Sequence, residues 1–342
     1  MAYYQPSNCQ VNCNTVETLT TNMNGWAKQS SYAYDQYNNV SSETDSDWGT
    51  SGSPGGTLRV TTTTYNTTVD IINDRMLGLP AEIKVYDGSN NLYTDTKYNY
   101  DGTSIANDPG LSGTYHDNAN FGGSQVRGNL TSIQQCLMNS GTCTWLNTSM
   151  GYDIAGNLMS VTDANNHTTW FSYSDNYTDG LNRNSYAFLT SVTNALGQSP
   201  FQGNYDYHLG QPVLTADIMG QYTTHSYGTS GFATDRLIEV SYANGGNSYY
   251  SYPSARQIIT QQDQNTSGDQ ALMTETQNDG FGRLVESDVF ENPSQYIAVT
   301  WGYDGLGRVT SVTNPSRWTN GQGDGLGYAT TYSYDGWGGR RR

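Results

Sequence analysis

Aromatic residues in this chain recur in pairs two positions apart. Tyr32/Tyr34, Tyr98/Tyr100, Phe171/Tyr173, Tyr205/Tyr207, Trp301/Tyr303 and Tyr332/Tyr334 share that spacing. In a β-strand such a pair lies on one face, whereas on a helix it points to nearly opposite sides. The pairs therefore predict strands, and stacked strands would set them in an aromatic ladder. Polar turn formers separate them. The stretch GYDIAGNLMSVTDANN, residues 151–166, holds the whole pattern. Tyr152 closes one strand, Asp153 opens a turn, and Gly156-Asn157 supplies residues that tolerate positive φ. Leu158 to Thr162 is a β-prone run. That run returns at 189–195 and 309–315, with a shorter echo at 130–133, so the chain reads as a repeat protein. Leu158 and Val161 are three apart and would face opposite sides of a plain strand. A bulge, or a sheet covered on both sides, is required.

Along the chain the pattern varies in strength. Residues 1–57 read as an irregular N-terminal segment holding one degraded copy, in which Asn38 stands where Gly156 stands. Both residues can occupy the left-handed region. Ser41 to Gly56 reads as a long loop. Residues 58–150 hold further repeats, with a loop insertion near 102–125, and residues 151–338 form the most regular array. Residues 339–342 form a basic tail that the reading places outside the fold.

Composition agrees with strands joined by many turns. The 342 residues include 38 Gly and 28 Tyr, with 7 Glu against 24 Asp. Asp favours turns where Glu favours helices. An aromatic share of 12% argues against disorder, because Tyr and Trp carry large apolar area. The net charge of −16 makes nucleic acid and anionic membrane surfaces unsuitable partners. No run is long enough for a membrane-spanning helix, so no membrane insertion is expected. Met1-Ala2-Tyr3-Tyr4 leads directly into polar sequence without a signal peptide. With its surface-type composition, the chain reads as a segment of a longer secreted protein, extracellular or at the cell surface. Four cysteines form two local pairs, and Cys9–Cys13 with Cys136–Cys143 is the favoured disulfide pattern among three pairings. A zinc site is the alternative, but neither pair has CxxC spacing and no His lies close in sequence.

The recurring Tyr-Asp, two variable residues, Gly, a polar residue and an aliphatic resembles the YD repeat of Rhs-type proteins, toxin-complex shell components and teneurins. Tyr152-Asp153 with Gly156 and Tyr303-Asp304 with Gly307 match fully. Tyr34-Asp35 and Tyr86-Asp87 match with Asn for Gly. Tyr205-Asp206 has one extra residue before Gly210, and Tyr334-Asp335 with Gly338 is the last copy. The resemblance covers residues 30–338. It implies an all-β fold of tandem β-hairpin repeats forming a spiralling sheet, part of a hollow shell or scroll. It also implies the remainder of a larger YD-repeat protein as partner, and an enclosed polypeptide cargo. The tightly patterned core segment and self-cleavage site of toxin-carrying relatives are missing, so neither autoproteolysis nor toxin activity is carried over.

No catalytic motif competes with this reading. His116, His167, His208 and His225 fall in different repeats, and no nucleophile elbow, metalloprotease motif or nucleotide loop is present. The repeated Asp residues read as acceptors for turn amides, with individual calcium sites the sharper alternative. The repeated Tyr residues read as packing, with an aromatic platform for sugars as the functional alternative. The expectation is a non-enzymatic, cofactor-free shell or scaffold segment. Its rival is an adhesin-like module that binds surface glycans or proteins through exposed Tyr, Trp and loops.

Overall fold

The computed structural model describes residues 17–68, 71, 75–106, 111, 116–117, 119, 126–139, 141–325, 328–335 and 340–341. The chain is all-β and its strands pair antiparallel. It divides into two compact units: Met1–Asp175 with Arg183–Gln198, and Asn176–Asn182 with Ser199–Arg342.

In the first unit each strand pairs with the next. The order is β1 (Glu17–Met23), β2 (Trp26–Tyr34), β3 (Val40–Ser46), β4 (Thr57–Tyr65), β5 (Pro80–Asp87) and β6 (Leu92–Tyr100). It continues through β7 (Leu130–Asn139), β8 (Thr142–Tyr152), β9 (Leu158–Thr162), β10 (Thr168–Ser172) and β11 (Ser191–Thr193). Residues 17–46, irregular by sequence, thus hold three regular strands. Residues 41–46 are strand rather than loop. Their Ser and Thr residues lack an apolar alternation to announce them, yet suit a half-buried pleat.

The second unit runs β12 (Phe201–Asp206), β13 (Gln211–Ala216), β14 (Tyr222–Tyr227), β15 (Leu237–Ser241), β16 (Asn247–Ser254) and β17 (Gln257–Gln262). Then come β18 (Leu272–Asn278), β19 (Leu284–Asn292) and β20 (Gln295–Tyr303). The two ends of β20 take different partners: β21 (Val309–Thr313) on Trp301–Tyr303, and β22 (Ser316–Thr319) on Gln295–Ala298. β22 pairs with β23 (Gln322–Gly323), β21 with β24 (Ala329–Thr331), and β25 (Ser333–Tyr334) with β26 (Arg340–Arg341). Arg340 and Arg341, set apart by sequence as a tail, are therefore paired in the structure.

One local device recurs throughout. Strands β2, β4, β6, β8, β14 and β20 end in a Tyr set at a register shift, and the Tyr faces the first residue of the returning strand; in β12 the Tyr is next to last, and Tyr205 faces Pro212. The pairs include Tyr34 with Val40, Tyr65 with Pro80, Tyr100 with Leu130, Tyr152 with Leu158, Tyr227 with Leu237, and Tyr303 with Val309. At β8–β9, Leu158 and Met159 together oppose Tyr152, since Ser160 already pairs with Gly151. Such a bulge turns two successive side chains toward one side, which brings Leu158 onto the face of Val161. The three-residue spacing in the sequence is the trace of this bulge.

A second contact links several hairpins to the one before. The Tyr303 hydroxyl donates to the Leu284 carbonyl at 2.7 Å and Tyr334 to that of Val309 at 2.7 Å. Tyr252 donates to Leu237, Tyr227 to Pro212 and Tyr65 to Val40, at 2.8, 3.0 and 2.9 Å. Each acceptor is the residue at or next to the preceding bulge. Fully buried apolar side chains are few among the described residues: Ala27, Ile71, Tyr177, Ala216, Val240 and Ala298. Most strand positions are half-buried, as in β9 and β21, so the Tyr contacts carry much of the packing.

Gly156 holds the turn after Tyr152 with φ +89, and a Cβ there would meet nothing within 4 Å. Backbone conformation alone therefore sets the residue preference. Gly156→Asn should cost a few tenths of a kcal/mol, and Gly156→Val about 1–2 kcal/mol, as read by urea unfolding. Equal costs would mean that the left-handed conformation does not decide this position.

Candidate functional site: the aspartate turns and two polar faces

The aspartates that begin the repeated turns share one geometry. At Asp153 the Gly156 N–H donates to the Asp153 carbonyl at 3.0 Å, and the Asp153 N–H to the Asn157 carbonyl at 3.0 Å. The Asp153 carboxylate then accepts the Asn157 N–H at 2.7 Å and its side-chain amide at 3.0 Å. The fourth residue is left-handed, which makes a type I turn closed by a bulge. Asp35 and Asp87 build the same turn with Asn38 and Asn90 left-handed, at φ 66 and 67. Asp304 does so with Gly307. Around Asp206 the closing bond runs from the Gly210 N–H to the Asp206 carbonyl, one residue longer. Tyr334 and Asp335 are described, whereas Gly338 lies outside the described residues.

Sequence reading found the Asp279 and Asp163 turns and missed the one at Asp217. Asp217, Asp279 and Asn194 accept the N–H groups two and four residues on, as Asp163 does. None of the four follows a Tyr, and the spacing of Asp or Asn from Gly or Asn was their available signal. The turns also lie on different edges. Asp35 and Asp153 sit between β2–β3 and β8–β9, while Asp87 sits between β5–β6, on the opposite edge of an alternating meander. Likewise, the Asp101 carboxylate accepts the N–H groups of Gly128 and Asn129, at 2.8 and 3.0 Å. The insertion therefore lies inside one such turn, with Gly128-Asn129-Leu130 taking the places of Gly156-Asn157-Leu158. Large apolar residues stand two positions after the turn-opening Asp or Asn and are exposed: Leu196, Met219, Phe281 and Leu306.

The fifth turn residue connects neighbouring repeats. Arg308 donates from Nε to Asp304 at 2.7 Å, and its guanidinium lies 4.4 Å from the Tyr334 ring centre. Arg283 pairs likewise with Asp279 and lies 4.5 Å from Tyr303. Asn39 and Asn157 at the same place instead donate to the Leu77 and Tyr186 carbonyls. Backbone and side-chain donors hold two turn carboxyls below the usual carboxylate range, chiefly the Arg308 N–H at Asp304 and the Asn91 side chain at Asp87. Asp269 is pushed lowest, by the N–H groups of Gln264, Thr266 and Asn265. Turn amides, more than Lys or Arg, thus accommodate the negative charge.

Cys136 and Cys143 are joined in a disulfide across the β7–β8 hairpin, with Cα atoms 5.3 Å apart. Cys9 and Cys13 lie outside the described residues. The histidines do not converge. His167 approaches Asp163, His208 stacks edge-on with Tyr207, and desolvation lowers the pKa of the half-buried His225. Among the described residues, no group of three or more His, Cys, Asp or Glu could hold a metal ion.

Two polar faces remain. One lies on β18–β22, where Glu275 opposes Asp288, and Phe290, Tyr296 and Trp318 form an aromatic row. Asp288 is 5% exposed and its Oδ1 has no partner. Burial, then Glu286 and Glu275, push its carboxyl up to about 6.

The other face is a cleft of about 580 Å³ in the first unit. Ser30, Asp45, Arg59 and Asp87 stand directly opposite one another on β2, β3, β4 and β5. Asp45 accepts from the Ser30 hydroxyl at 2.7 Å and from Arg59 at 2.7 Å, and the Ser30 bond, ahead of Arg59, holds its carboxyl low. Lys28, Asp47, Trp48, Leu58, Tyr86 and Tyr93 are also among the lining residues.

The fold and its turns define an all-β antiparallel hairpin-repeat protein. No family model and no curated protein sequence matches the chain. Solved structures align with it at TM-scores below 0.5. The TcdB2-TccC3-Cdc42 crystal structure aligns at 12% identity and TM-score 0.43, over 93% of this chain and 21% of that one. The Photorhabdus luminescens Tc holotoxin pore aligns at 12% identity and TM-score 0.41, over 93% and 21%. A porin-like protein from Bacteroides uniformis aligns at 10% identity and TM-score 0.23, over 79% and 92%. The chain spans about a fifth of the toxin-complex chains it matches. No helix among the described residues is long and apolar enough to cross a membrane.

Asp288 makes a pH prediction with a definite sign. Its folded pKa, about 6, exceeds the ordinary carboxyl value. The folded state therefore holds a proton that the unfolded state has released, and stability falls as pH rises through 6. Asp288→Asn should stabilise the protein at pH 8 by about 1–2 kcal/mol and have little effect near pH 4. Urea unfolding at both pH values reads this, and destabilisation at pH 8 would contradict the assignment.

A second prediction concerns the Arg link. Arg308→Gln removes an ion pair and a cation–π contact that are both partly exposed, so the expected cost is about 0.5–1.5 kcal/mol. A double-mutant cycle with Tyr334→Leu should show coupling, and strictly additive effects would deny the link.

Proposed function

We propose that the chain is a non-enzymatic structural segment of a larger, extracellular YD-repeat protein, a length of β-wall or scaffold. One observation carries this reading. The same bond, from a Tyr hydroxyl to a carbonyl at the preceding bulge, recurs at Tyr65, Tyr227, Tyr252, Tyr303 and Tyr334, so the array can be lengthened without a new kind of contact. The use of side chains agrees. The turn-opening Asp residues spend acceptor capacity on turn amides, and the Tyr303 and Tyr334 hydroxyls donate to backbone carbonyls, so these groups are engaged by the fold itself. The half-buried, polar strand faces suit a wall that meets solvent or a polypeptide. The cargo implied by the YD resemblance is an enclosed polypeptide.

The test uses the gene product that carries this segment. Under limited trypsin digestion, polypeptide enclosed by the repeat array should survive intact in the wild type. It should be cut in a Tyr152→Ala, Tyr303→Ala variant that loosens two bulges. Equal digestion in both proteins would contradict the wall reading. So would hydrolysis of nitrophenyl glycosides by the segment that is abolished by Asp153→Asn.

A further inference from the structure

The cleft on β2–β5 has features that a wall does not need. Its floor is a row of alternating character, Ser30, Asp45, Arg59 and Asp87, crossing four adjacent strands in register. With neighbouring strands about 4.8 Å apart, the row spans about 14 Å. Asp45 is fixed by Ser30 and Arg59, so the central acceptor and donor are oriented in advance. Trp48 and Tyr93 line the same cleft, and Tyr93 is 72% exposed. Neither ring is used as core.

The segment that presents Trp48 is firmly built. The Ala27 and Gly49 backbones exchange hydrogen bonds at 3.0 and 2.8 Å, and the Gly55 N–H donates to the Asp47 carbonyl at 2.9 Å. A Cβ on Gly49 would fall 2.3 Å from the Ser53 carbonyl oxygen, and one on Gly55 would fall 2.9 Å from that of Trp48. Only glycine permits this tight loop, which clamps onto the fully buried Ala27. Gly88, beside Asp87, abuts the Thr57 carbonyl in the same way. Both ends of the polar row are therefore held by close backbone contacts, and a ligand would bind without first ordering the site.

The chemistry selects the ligand class. A polyanion would meet the carboxylates of Asp45, Asp47 and Asp87, and a polycation would meet Arg59 and Lys28. A metal ion would need a cluster of ligands, and among the described residues no three His, Cys, Asp or Glu could supply one. An uncharged polyhydroxylated ring suits both parts of the cleft. Its C–H face packs on an aromatic ring, and its hydroxyls both donate to carboxylates and accept from guanidinium and ammonium. We propose that this cleft binds a neutral oligosaccharide, with Trp48 and Tyr93 as stacking platforms and Asp45 and Arg59 as the central hydroxyl partners. The site stands apart from the wall reading, since Trp48, Tyr93, Asp45 and Arg59 lie outside the repeated Tyr-Asp turns; of the lining, Tyr86 and Asp87 belong to both.

The experiment is calorimetric titration of the full chain with maltohexaose, cellohexaose and chitohexaose, and with a sulfated heparin hexasaccharide as the charged comparison. At least one neutral hexasaccharide should bind with a Kd of about 0.1–1 mM, and the sulfated one should bind more weakly. Tyr93→Ala, at an exposed position, and Asp45→Asn should each weaken binding at least tenfold. Trp170→Ala, a change to an exposed ring elsewhere in the same unit, should leave it unchanged. Absence of binding by all three neutral sugars at about 10 mM would overturn the proposal. Binding that is confined to the sulfated sugar, or that is unaffected in Tyr93→Ala and Asp45→Asn, would overturn it as well.

Discussion

The bulge at the end of every second strand is the constraint on which the rest depends. An extra residue in one strand of a pair interrupts the ladder and increases the local twist. Here the interruption often faces a strand-ending Tyr, as at Tyr34, Tyr100, Tyr152 and Tyr303. The Tyr of a following hairpin then donates its hydroxyl to a carbonyl at or beside that bulge, as Tyr303 does to Leu284 and Tyr334 to Val309. The ring and its hydroxyl serve different ends. The ring covers the bulge with apolar area, while the hydroxyl satisfies a backbone acceptor that would otherwise be costly to bury. A Phe would supply only the first of these, and a Ser only the second. That dual demand favours Tyr over Phe at Tyr65, Tyr227, Tyr252, Tyr303 and Tyr334.

The electrostatics follow from the same turns. A chain with 24 Asp and only 15 Lys and Arg should repel itself. Most turn carboxylates instead rest on backbone N–H groups, two at Asp87 and four at Asp269. Arg enters where a link to the next Tyr is also made, at Arg283 and Arg308. Asp288 departs from this rule. It is buried without a turn amide and its carboxyl is pushed up to about 6, so the face it shares with Glu275 and Glu286 carries a stability cost at neutral pH.

The strands and the turns were legible in the sequence because their chemistry is local. Asp153, Gly156 and Asn157 lie within five residues, and the two-residue Tyr spacing is a direct image of the pleat. The need for a bulge at Leu158 was also legible, since Val161 three positions on admits few other arrangements. Three things were not. The turn opened by Asp101 closes on Gly128 and Asn129 across the insertion, so no short motif could reveal it. Tyr65, Tyr227 and Tyr252 make the inter-hairpin hydrogen bond without a following Asp, and a search for Tyr-Asp passes over them. The row of Ser30, Asp45, Arg59 and Asp87 is assembled from four strands by register, which the sequence does not state. The polar strand β3 was hidden for a related reason, because Ser and Thr give no apolar alternation.

The central claim is that the Tyr hydroxyls couple each hairpin to its neighbour and to nothing more distant. Hydrogen exchange on Tyr65→Phe measures this most directly. The change removes one donor to the Val40 carbonyl and leaves the ring in place. A net hydrogen bond of about 1 kcal/mol corresponds to roughly fivefold faster exchange. The account predicts that acceleration in the amides of β3 and β4, with no change in β8, β9 and β10 of the same unit. Uniform acceleration across all five strands, or none in β3 and β4, would contradict it.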